Sequence, residues 1–448
     1  MTSTFDLVLA GGRIVTPGGI TEADIGITGG RITAIGDVSG AAAERLDVGG
    51  LHVLPGVIDS QVHFREPGLE HKEDITHGTR SAIKGGVTSI FEMPNTSPLT
   101  LDERTLCDKL DRSARGAWCD YAFFMGGNHE NAHRLSDLER LPGCAGVKIF
   151  MGSSTGTLLA KDDEVIAAVL ANGSRRVSVH AEDEDRLVER QPIAVDAEGP
   201  EAHPDWRDVE SAVRATRRLL ALARAANRRV HVLHISTRDE MEILAAHKDL
   251  ATVEVTLNHL TMTAPECYER LGAFAQMNPP VRDEHHRLGL WEAIRTGVVD
   301  VIGSDHAPHT VEEKERPYPS SPSGMPGVQT SLPLLLDHVH RGRLTLERLV
   351  DLTAAGPQRI FGIIGKGRIA VGYDADLAVV DLAARREITD EWIASKCGWT
   401  PFDGTMVTGW PVATILRGHV VMRDDEVLGT PSGQPVRFFD TSPTRPAT

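Results

Sequence analysis

Both ends of the chain consist of short apolar runs that alternate with glycine-rich turns. Residues 5–10 and 24–28 are apolar runs followed by glycine pairs, and residues 13–16 and 31–35 continue the pattern. Residues 375–381, 412–418 and 419–422 repeat this texture near the C-terminus. Such runs are typical of β-hairpins. We therefore predict one β-sandwich that is built from both chain termini.

The centre of the chain alternates short apolar runs with helical stretches. Residues 209–226 and 240–247 predict helices, and the apolar runs predict strands at residues 87–93, 121–125, 146–150, 177–180, 230–235, 252–256 and 300–305. Repeated β–α units over about 300 residues favour an α/β fold with a TIM-like (β/α)₈ barrel. A doubly wound sheet is the alternative, but no Gly-x-Gly-x-x-Gly motif follows a first strand. The predicted division is 1–55 and 363–448 for the β-sandwich and tail, and 56–362 for the barrel.

The segment at residues 56–68 ends an apolar run in polar side chains at every second position. Residues 51–58 form the run, and Asp59, Gln61, His63 and Arg65 follow it. Alternate residues of an extended chain share one face, so these side chains converge at a strand end. An apolar core does not tolerate such a set without a partner such as a metal or an anion. The segment therefore predicts an active site.

Other predicted strands also end in groups that can carry chemistry, namely Asn95, Lys148, His180, His234 and Asp305. Catalytic residues of a barrel enzyme lie at the carboxyl ends of its strands. Imidazole and carboxylate groups bind zinc-like metals, and a catalytic site keeps one position open for water. A single residue of this kind is often only a hydrogen-bonded structural residue. Several on successive strands favour a metal site.

The alternation of side-chain direction along a strand distinguishes neighbouring candidate site residues, but it does not decide their roles. His231 and His234 point to opposite faces of an extended strand, and so do Asp305 and His306. We therefore expect His231 and His306 to face outward or to support the ligands from behind. Lys148 cannot ligate a metal as an ammonium, because a ligand must present a lone pair. It is either an ion-pair partner or a lysine modified to a carbamate, whose two oxygens can bridge two metals.

Two other segments are interpreted from their composition. The acidic run at residues 182–185 is most often a solvated face. Residues 306–330 are rich in proline, serine and glycine without a clear pattern. Structureless chain of this length is usually a functional loop or a mobile lid.

Composition narrows the class of protein. The formal net charge of the 448 residues is −16, which argues against nucleic acid as the main partner. No apolar run is long enough to predict a membrane span, and the N-terminus lacks the basic and apolar regions of a secretory signal. The five scattered cysteines contain no Cys-x-x-Cys pair and predict reduced thiols. We expect a cytoplasmic homo-oligomer, a dimer or a tetramer, that acts on a small molecule.

Several motifs make the chain resemble the cyclic amidohydrolases of the amidohydrolase superfamily, and the dihydroorotases most closely among them. The motifs spread over nearly the whole chain and lie at residues 59–68, 93–96, 147–151, 179–182, 233–236, 278–282, 303–309, 365–369 and 395–402. The resemblance implies a TIM-like barrel beside a β-sandwich, which agrees with the fold predicted from the hydrophobic pattern.

The resemblance also implies roles for individual residues. It makes His63 and Asp305 ligands of an inner zinc ion and His180 and His234 ligands of an outer one, bridged by Lys148 as a carbamate. It makes Asp305 the group that moves the proton. It assigns the substrate carboxylate to Arg65, Asn95 and His309, and the lining of the ring pocket to Asn278. The alternative for Arg65 is an ion pair with a nearby carboxylate such as Glu66.

Gln61 departs from the family pattern. The family usually has His-x-His after the aspartate, and Gln61 stands in the place of the first histidine. A glutamine offers only a neutral carbonyl oxygen, which is a poorer zinc ligand than imidazole. Occupancy by one metal or by two therefore stays open.

The resemblance implies metal-dependent, reversible hydrolysis of the cyclic amide of L-dihydroorotate to N-carbamoyl-L-aspartate in pyrimidine synthesis. An allantoinase or a hydantoinase of the dihydropyrimidinase type is the first alternative, because fold and metal site are shared and only substrate contacts differ. Arg65 is the discriminating residue between the two. A non-catalytic scaffold is the second alternative, and the missing histidine at Gln61 is the observation that motivates it.

Overall fold

The N-terminal part of the chain forms hairpins, as predicted. The structure is a computed structural model that describes residues 5–154 and 158–442. Its first strands are β1 (Phe5–Thr16), β2 (Gly19–Thr28), β3 (Arg31–Gly36), β4 (Ala42–Asp47) and β5 (His52–Pro55). The apolar runs predicted at residues 5–10 and 13–16 are one strand, because a bulge between Leu9 and Gly12 absorbs Gly11 at a φ of 71°.

The centre of the chain forms a barrel of parallel strands. In the described residues the strands follow one another in chain order: β6 (Val57–Val62), β7 (Val87–Glu92), β8 (Asp120–Gly126), β9 (Cys144–Phe150), β10 (Val177–His180), β11 (Val230–Val232), β12 (Ala251–Thr256) and β13 (Val301–Gly303). A parallel bridge between Val62 and His306 closes the ring, and His63 N donates to His306 O at 2.7 Å. The predicted TIM-like barrel is confirmed, and the doubly wound alternative is wrong.

Helices connect the barrel strands and cover the barrel. Their bounds are α1 (Ile75–Lys84), α2 (Glu103–Gly116), α3 (Leu135–Leu138), α4 (Asp163–Ala171), α5 (Glu184–Asp196), α6 (His203–Trp206), α7 (Val209–Ala225), α8 (Arg238–Ala245), α9 (Leu257–Thr261), α10 (Glu266–Leu271), α11 (Glu284–Arg295), α12 (Val311–Lys314), α13 (Ser331–His340), α14 (Leu346–Val350) and α15 (Gly356–Phe361). The predicted helix at 240–247 begins earlier than expected, because the Thr237 side chain caps it by accepting from Glu240 N. None of the helices in the described chain combines the length and the apolar character that crossing a bilayer requires.

The C-terminal strands complete the sheet begun by β1–β5. They are β14 (Leu377–Ile388), β15 (Thr405–Leu416), β16 (His419–Arg423) and β17 (Glu426–Val427), and β14 pairs with β5 at Val379 and Val53. The sheet folds back on itself, so that Gly418, in the turn after β15, packs against Ile27 of β2. The approach is close, because a Cβ atom at Gly418 would lie 2.8 Å from Ile27 Cγ2. Strands from both termini therefore enclose one apolar cluster.

Aromatic side chains fill the N-terminal end of the barrel. The Phe91 ring lies 5.3 Å from the Phe361 ring and 5.7 Å from the Phe438 ring, centroid to centroid. Phe124 joins the same cluster at 6.0 Å from Phe361. Because this end is packed with buried rings, a substrate can enter only from the opposite end, where the strands terminate in polar residues.

Candidate active site

One cavity at the carboxyl ends of the barrel strands gathers most of the predicted site residues. It is lined by Gln61, His63, Arg65, Asn95, His180, His234, Asn278 and Asp305. Lys148 and His309 do not line it. The Lys148 side chain is fully buried on β9, and His309 contacts Arg65.

The backbone turns sharply at three of these residues. Arg65, His234 and Asp305 have φ values of 64°, 37° and 48°. A positive φ is costly for residues other than glycine and persists only where the surroundings enforce it. All three follow strand ends, so the turns aim their side chains over the mouth of the barrel.

The turn at His234 overturns part of the alternation argument. Strand β11 ends at Val232, so alternation does not continue to His234. His231 does not face outward. Its ring lies 5.5 Å from the Phe361 ring in the barrel floor, and its Nε2 is 3.4 Å from Glu254 Oε2. It is therefore a support beneath the site.

His306 lies behind the site as well. Its Nδ1 accepts a hydrogen bond from Gly327 N at 3.1 Å, and its ring contacts Phe64 edge to face at 5.5 Å. The imidazole thus ties the β13 end to the segment that follows it and does not face the cavity.

His63 and Asp305 form the first ligand pair. His63 Nε2 lies 3.2 Å from Asp305 Oδ1, and His63 Nδ1 lies 2.9 Å from Asn95 Oδ1. If the Asn95 oxygen accepts from Nδ1–H, the lone pair of Nε2 faces the carboxylate oxygen. Two acceptors that face each other at this distance need a cation or a proton between them. The pair therefore fits a metal ion.

His180 and His234 form the second pair. His180 Nδ1 lies 3.0 Å from His234 Nε2. His180 Nε2 lies 2.9 Å from Glu182 Oε2, which is ion-pair distance although the angles do not make a hydrogen bond. A carboxylate behind a metal-binding histidine favours protonation of the distal nitrogen and leaves the other lone pair for the metal.

Three of the predicted site residues have a buried polar atom that lacks a hydrogen-bond partner. Among the described residues, Lys148 Nζ, His234 Nδ1 and Gln61 Oε1 are buried without a hydrogen-bond partner. Burial lowers the pKa of Lys148 to about 7. Unsatisfied buried groups cost free energy unless an ion or water completes them. The donor set of imidazole, carboxylate and a lysine nitrogen thus fits a metal centre.

Gln61, which stands at the position of the usual histidine, forms hydrogen bonds to two aspartates. Its Nε2 donates to Asp305 Oδ1 at 3.0 Å, and its backbone N donates to Asp59 Oδ1 at 3.2 Å. Asp59 Oδ1 also accepts from Ser304 N at 3.1 Å, so Asp59 ties β6 to the β13 end. Gln61 therefore positions the Asp305 carboxylate through its amide nitrogen.

We expect Gln61→His to raise the metal content of the purified protein. An added imidazole supplies a second nitrogen ligand beside His63, whereas the glutamine amide donates to Asp305 and offers only a weak ligand. The measurement is metal stoichiometry by inductively coupled plasma mass spectrometry after dialysis, with Gln61→Asn as the control. Equal metal content in the wild type and Gln61→His would show that the inner position does not depend on this residue.

Glu182 and Glu254 are site residues that the sequence analysis missed. The acidic run at residues 182–185 is not a solvated face throughout, because Glu182 is fully buried and pairs with Arg207 at 2.5 Å. Burial raises the pKa of Glu182, but Arg207 and His180 outweigh that effect and lower it. The feature of the sequence that could have identified Glu182 is its position two residues after His180, at the end of the same strand.

Glu254 lies inside the barrel below the cavity. It accepts from Ser60 Oγ at 3.0 Å, and burial raises its pKa to about 8. The signal in the sequence was a single acid between valines in a predicted strand.

A buried cation lies beside these two pairs of candidate ligands. Arg65 is buried, its Nε donates to Pro308 O at 3.1 Å, and its Nη2 lies 3.1 Å from His309 Nε2. The alternative ion pair with Glu66 is wrong, since Glu66 pairs with Arg112 at 3.1 Å. In the described part of the chain, no carboxylate lies within 4.0 Å of Arg65.

Two groups hold His309 in place. Lys72 Nζ lies 3.1 Å from His309 Nδ1 and 3.1 Å from Glu313 Oε1. Lys72 at Nδ1 and Arg65 at Nε2 are both donors only, so a neutral His309, which has one lone-pair nitrogen, accepts from one of them at a time. That Nε2 also lies 3.1 Å from Ser323 O. Lys72 and Arg65 therefore hold the His309 ring between them, behind the Arg65 side of the cavity.

Residues 306–330 contain ordered structure that the composition did not predict. Helix α12 lies within the segment, and Lys314 Nζ donates to Pro322 O at 2.8 Å and to Gly324 O at 3.1 Å. Ser321 Oγ donates to Gln276 Oε1 at 2.5 Å. The segment carries His309 and forms one wall of the cavity.

Asn278 lines the cavity close to this segment, since His203 Nε2 also lies 3.4 Å from Ser323 Oγ. Asn278 Oδ1 lies 2.9 Å from His203 Nε2, and Asn278 Nδ2 lies 3.4 Å from Ser154 Oγ. His203 therefore orients the Asn278 amide, a role that the sequence analysis did not assign.

Comparison with known proteins places this site in a family. Residues 52–421 match the amidohydrolase family. A dihydroorotase from Pyrococcus abyssi is 38% identical over 437 residues, covering 96% of this chain and 98% of that protein. A dihydroorotase from Halobacterium salinarum is 38% identical over 429 residues, covering 94% and 96%.

Solved structures agree with the fold. An L-hydantoinase (dihydropyrimidinase) from Arthrobacter aurescens has a TM-score of 0.91 at 33% identity and covers 96% of this chain and 99% of its own. A dihydropyrimidinase from Brevibacillus agri has a TM-score of 0.90 at 28% identity, with coverage of 98% and 99%. Because the match extends over most of the sequence and the barrel carries its polar groups at the strand ends, this chain belongs to the amidohydrolase family.

Proposed function

We propose that this protein is a metal-dependent dihydroorotase, which interconverts L-dihydroorotate and N-carbamoyl-L-aspartate in pyrimidine synthesis. The names of the curated relatives support the activity. The observation that carries the proposal is Arg65, a buried cation with no carboxylate partner in the described residues, at the same cavity as the ligand pairs. Burial lowers the pKa of Arg65 to about 10, so it stays charged at neutral pH. Such a group calls for an anionic substrate.

The ligand pairs would hold one or two zinc ions. His63 and Asp305 would serve the inner position, and His180 and His234 the outer one. Lys148 would join these ligands as a carbamate, because an ammonium cannot ligate and its buried nitrogen has no hydrogen-bond partner in the described residues. A bound zinc ion supplies an activated water and polarises the ring carbonyl.

Asp305 is the proposed proton carrier. Its Oδ1 is held by the Gln61 amide and by His63, and the carboxylate faces the cavity. In ring opening, Asp305 takes the proton from the attacking water and gives it to the leaving ring nitrogen as the amide C–N bond breaks. Ring closure follows the same path in reverse.

Arg65, Asn95 and His309 are proposed to bind the substrate carboxylate. A guanidinium forks onto a carboxylate with two charge-assisted hydrogen bonds. His309 contacts the guanidinium through Nε2 at 3.1 Å from the same side. These contacts leave the ring amide free to face the ligand pairs, which is a contribution of position rather than of chemistry. Asn278 would line the ring pocket.

A hydantoinase is the second candidate, because the hydantoinase from Arthrobacter aurescens shares the fold at a TM-score of 0.91. The test is a panel of dihydroorotate, carbamoyl-aspartate, hydantoin, allantoin and dihydrouracil, run with measured metal stoichiometry. Turnover of the first two alone would support the dihydroorotase. Turnover confined to a ring without a carboxylate would overturn it. A protein that binds no metal and turns over none of the five would be the non-catalytic scaffold.

We also propose a reducing, cytoplasmic location and a homo-oligomeric state. All five cysteines are free thiols, which suits a reducing compartment. Light scattering of the purified protein would test the oligomeric state.

We expect Lys72→Met to raise KM for dihydroorotate about tenfold, the cost of one misplaced charge-assisted contact. Without the ammonium at Nδ1, the His309 ring loses one of the two donors that hold it and no longer orients the Arg65 guanidinium. Lys72→Arg, which keeps a donor, should recover much of the loss. Steady-state kinetics at known metal content is the measurement. A kcat that falls while KM stays unchanged would contradict this role.

A further inference from the structure

Two pairs of arginines lie directly before two neighbouring strands, at the end of the barrel remote from the active site. Arg175 and Arg176 precede β10, and Arg228 and Arg229 precede β11. The two strands are parallel, with Val177 opposite Val230. Since parallel strands in register start at the same level, the two arginine pairs lie side by side at the N-terminal end of the barrel.

A separate cavity of about 210 Å³ opens at this place. Three of the arginines line it, joined by Arg359 from α15 and by Phe439. The protein carries a net charge of −16, so a concentration of arginines around one cavity does not follow from overall composition. A patch of this sign attracts anions.

Only some of these cations are neutralised. Arg175 pairs with Asp440 at 2.7 Å, and Arg359 pairs with Asp351 at 2.7 Å. In the described residues, neither Arg176 nor Arg229 has a carboxylate within 4.0 Å. Burial and the like charge of Arg229 lower the pKa of Arg176, whereas Asp300 raises it. As like charges at one cavity, Arg176 and Arg229 repel each other. An anion between them would remove this repulsion.

Phe439 adds an exposed aromatic face to the rim of the cavity. Its side chain is 71% exposed, although it is a large apolar residue. Its backbone N donates to Gly362 O at 3.0 Å, and a Cβ atom on Gly362 would lie 3.5 Å from the ring. The backbone at Phe439 is thus anchored, and most of the residue is open to solvent. Exposed aromatic rings beside arginines are the surfaces on which nucleobases stack.

We propose that this cavity binds a nucleoside phosphate. Arg176 and Arg229 would bind the phosphate, for which arginine has the matching fork of donors. The Phe439 ring would stack on the base. The site lies at the opposite end of the barrel from the proposed reaction and is independent of it.

Isothermal titration of the full-length, metal-loaded protein with AMP, adenosine and inorganic phosphate tests the proposal. A purine nucleotide is used because the active site is proposed for a pyrimidine-like ring. We expect AMP to bind more tightly than phosphate or adenosine. Arg176→Gln and Arg229→Gln should each weaken AMP at least about tenfold, equivalent to about 1.4 kcal/mol. Phe439→Ala should weaken AMP and leave phosphate unchanged.

Arg217→Gln is the matched control, because Arg217 is an exposed arginine of α7 that does not line the cavity. It should bind AMP as the wild type does, and thermal melts should show that all variants are folded. Three results would overturn the proposal: no saturable binding of AMP, phosphate binding as tight as AMP binding, or equal losses in Arg217→Gln and Arg229→Gln.

Discussion

Asp305→Asn should lower kcat for dihydroorotate ring opening by about 10³-fold, within the range for loss of a general acid–base group. An asparagine cannot accept the proton of the attacking water or return it to the leaving nitrogen. The change keeps the size of the side chain, so the turn at φ 48° and the contact with Gln61 can persist. Steady-state kinetics in both directions is the measurement, because a group that carries the proton in one direction carries it in the other.

The metal content separates the two roles of Asp305. If the variant retains metal and loses turnover, proton transfer is the main contribution. If the variant loses metal in proportion to its activity, metal ligation is the main contribution of Asp305. Asp249→Asn makes the same chemical change at an exposed carboxylate paired with Arg224, and it should leave kcat unchanged. An Asp305→Asn variant that keeps a tenth or more of the wild-type kcat with full metal would contradict the proton-carrier role.

Arg65→Gln should lower kcat/KM for dihydroorotate by at least about 10²-fold. Two charge-assisted hydrogen bonds to the substrate carboxylate are lost, each worth about 1.5–3 kcal/mol. The buried position of Arg65 strengthens the effect, since little water is present to replace the guanidinium. The kcat/KM of Arg65→Lys should lie between those of the wild type and Arg65→Gln, because a lysine keeps the charge and loses the planar fork.

A neutral ring provides the discriminating measurement for Arg65. Residual turnover of hydantoin or dihydrouracil, which have no carboxylate, should be unaffected or improved in Arg65→Gln. Arg112→Gln is the control, because Arg112 pairs with Glu66 and does not line the cavity. Equal losses on charged and neutral rings would make Arg65 a structural residue and would favour the hydantoinase alternative.

The hydrophobic pattern was sufficient to predict the architecture. Runs of apolar residues in the centre predicted the barrel strands, because each strand is buried on both faces and reads as a short apolar segment. Polar residues at the ends of those segments predicted the cavity, because the carboxyl ends of parallel strands meet at one end of a barrel. These inferences depend on local spacing alone.

Local spacing failed where the backbone leaves the strand geometry. The alternation rule left His231 either outward or behind the ligands, and the structure places it beneath the site, since β11 ends at Val232 and the backbone turns at His234. It could not identify Lys72, which reaches His309 across 237 positions of the sequence. Nor could composition show that Glu182 is buried, because its partner Arg207 comes from another element.

The sequence by itself therefore determined the barrel, the terminal sheet and the set of strand-end residues, since periodicity and strand ends are local properties. The tertiary structure alone decided which polar groups face one another: the His63–Asp305 and His180–His234 pairs, the donors to His309, and the arginines that meet at the other end of the barrel. Those contacts depend on strand register and backbone turns, which arise only when distant segments pack together.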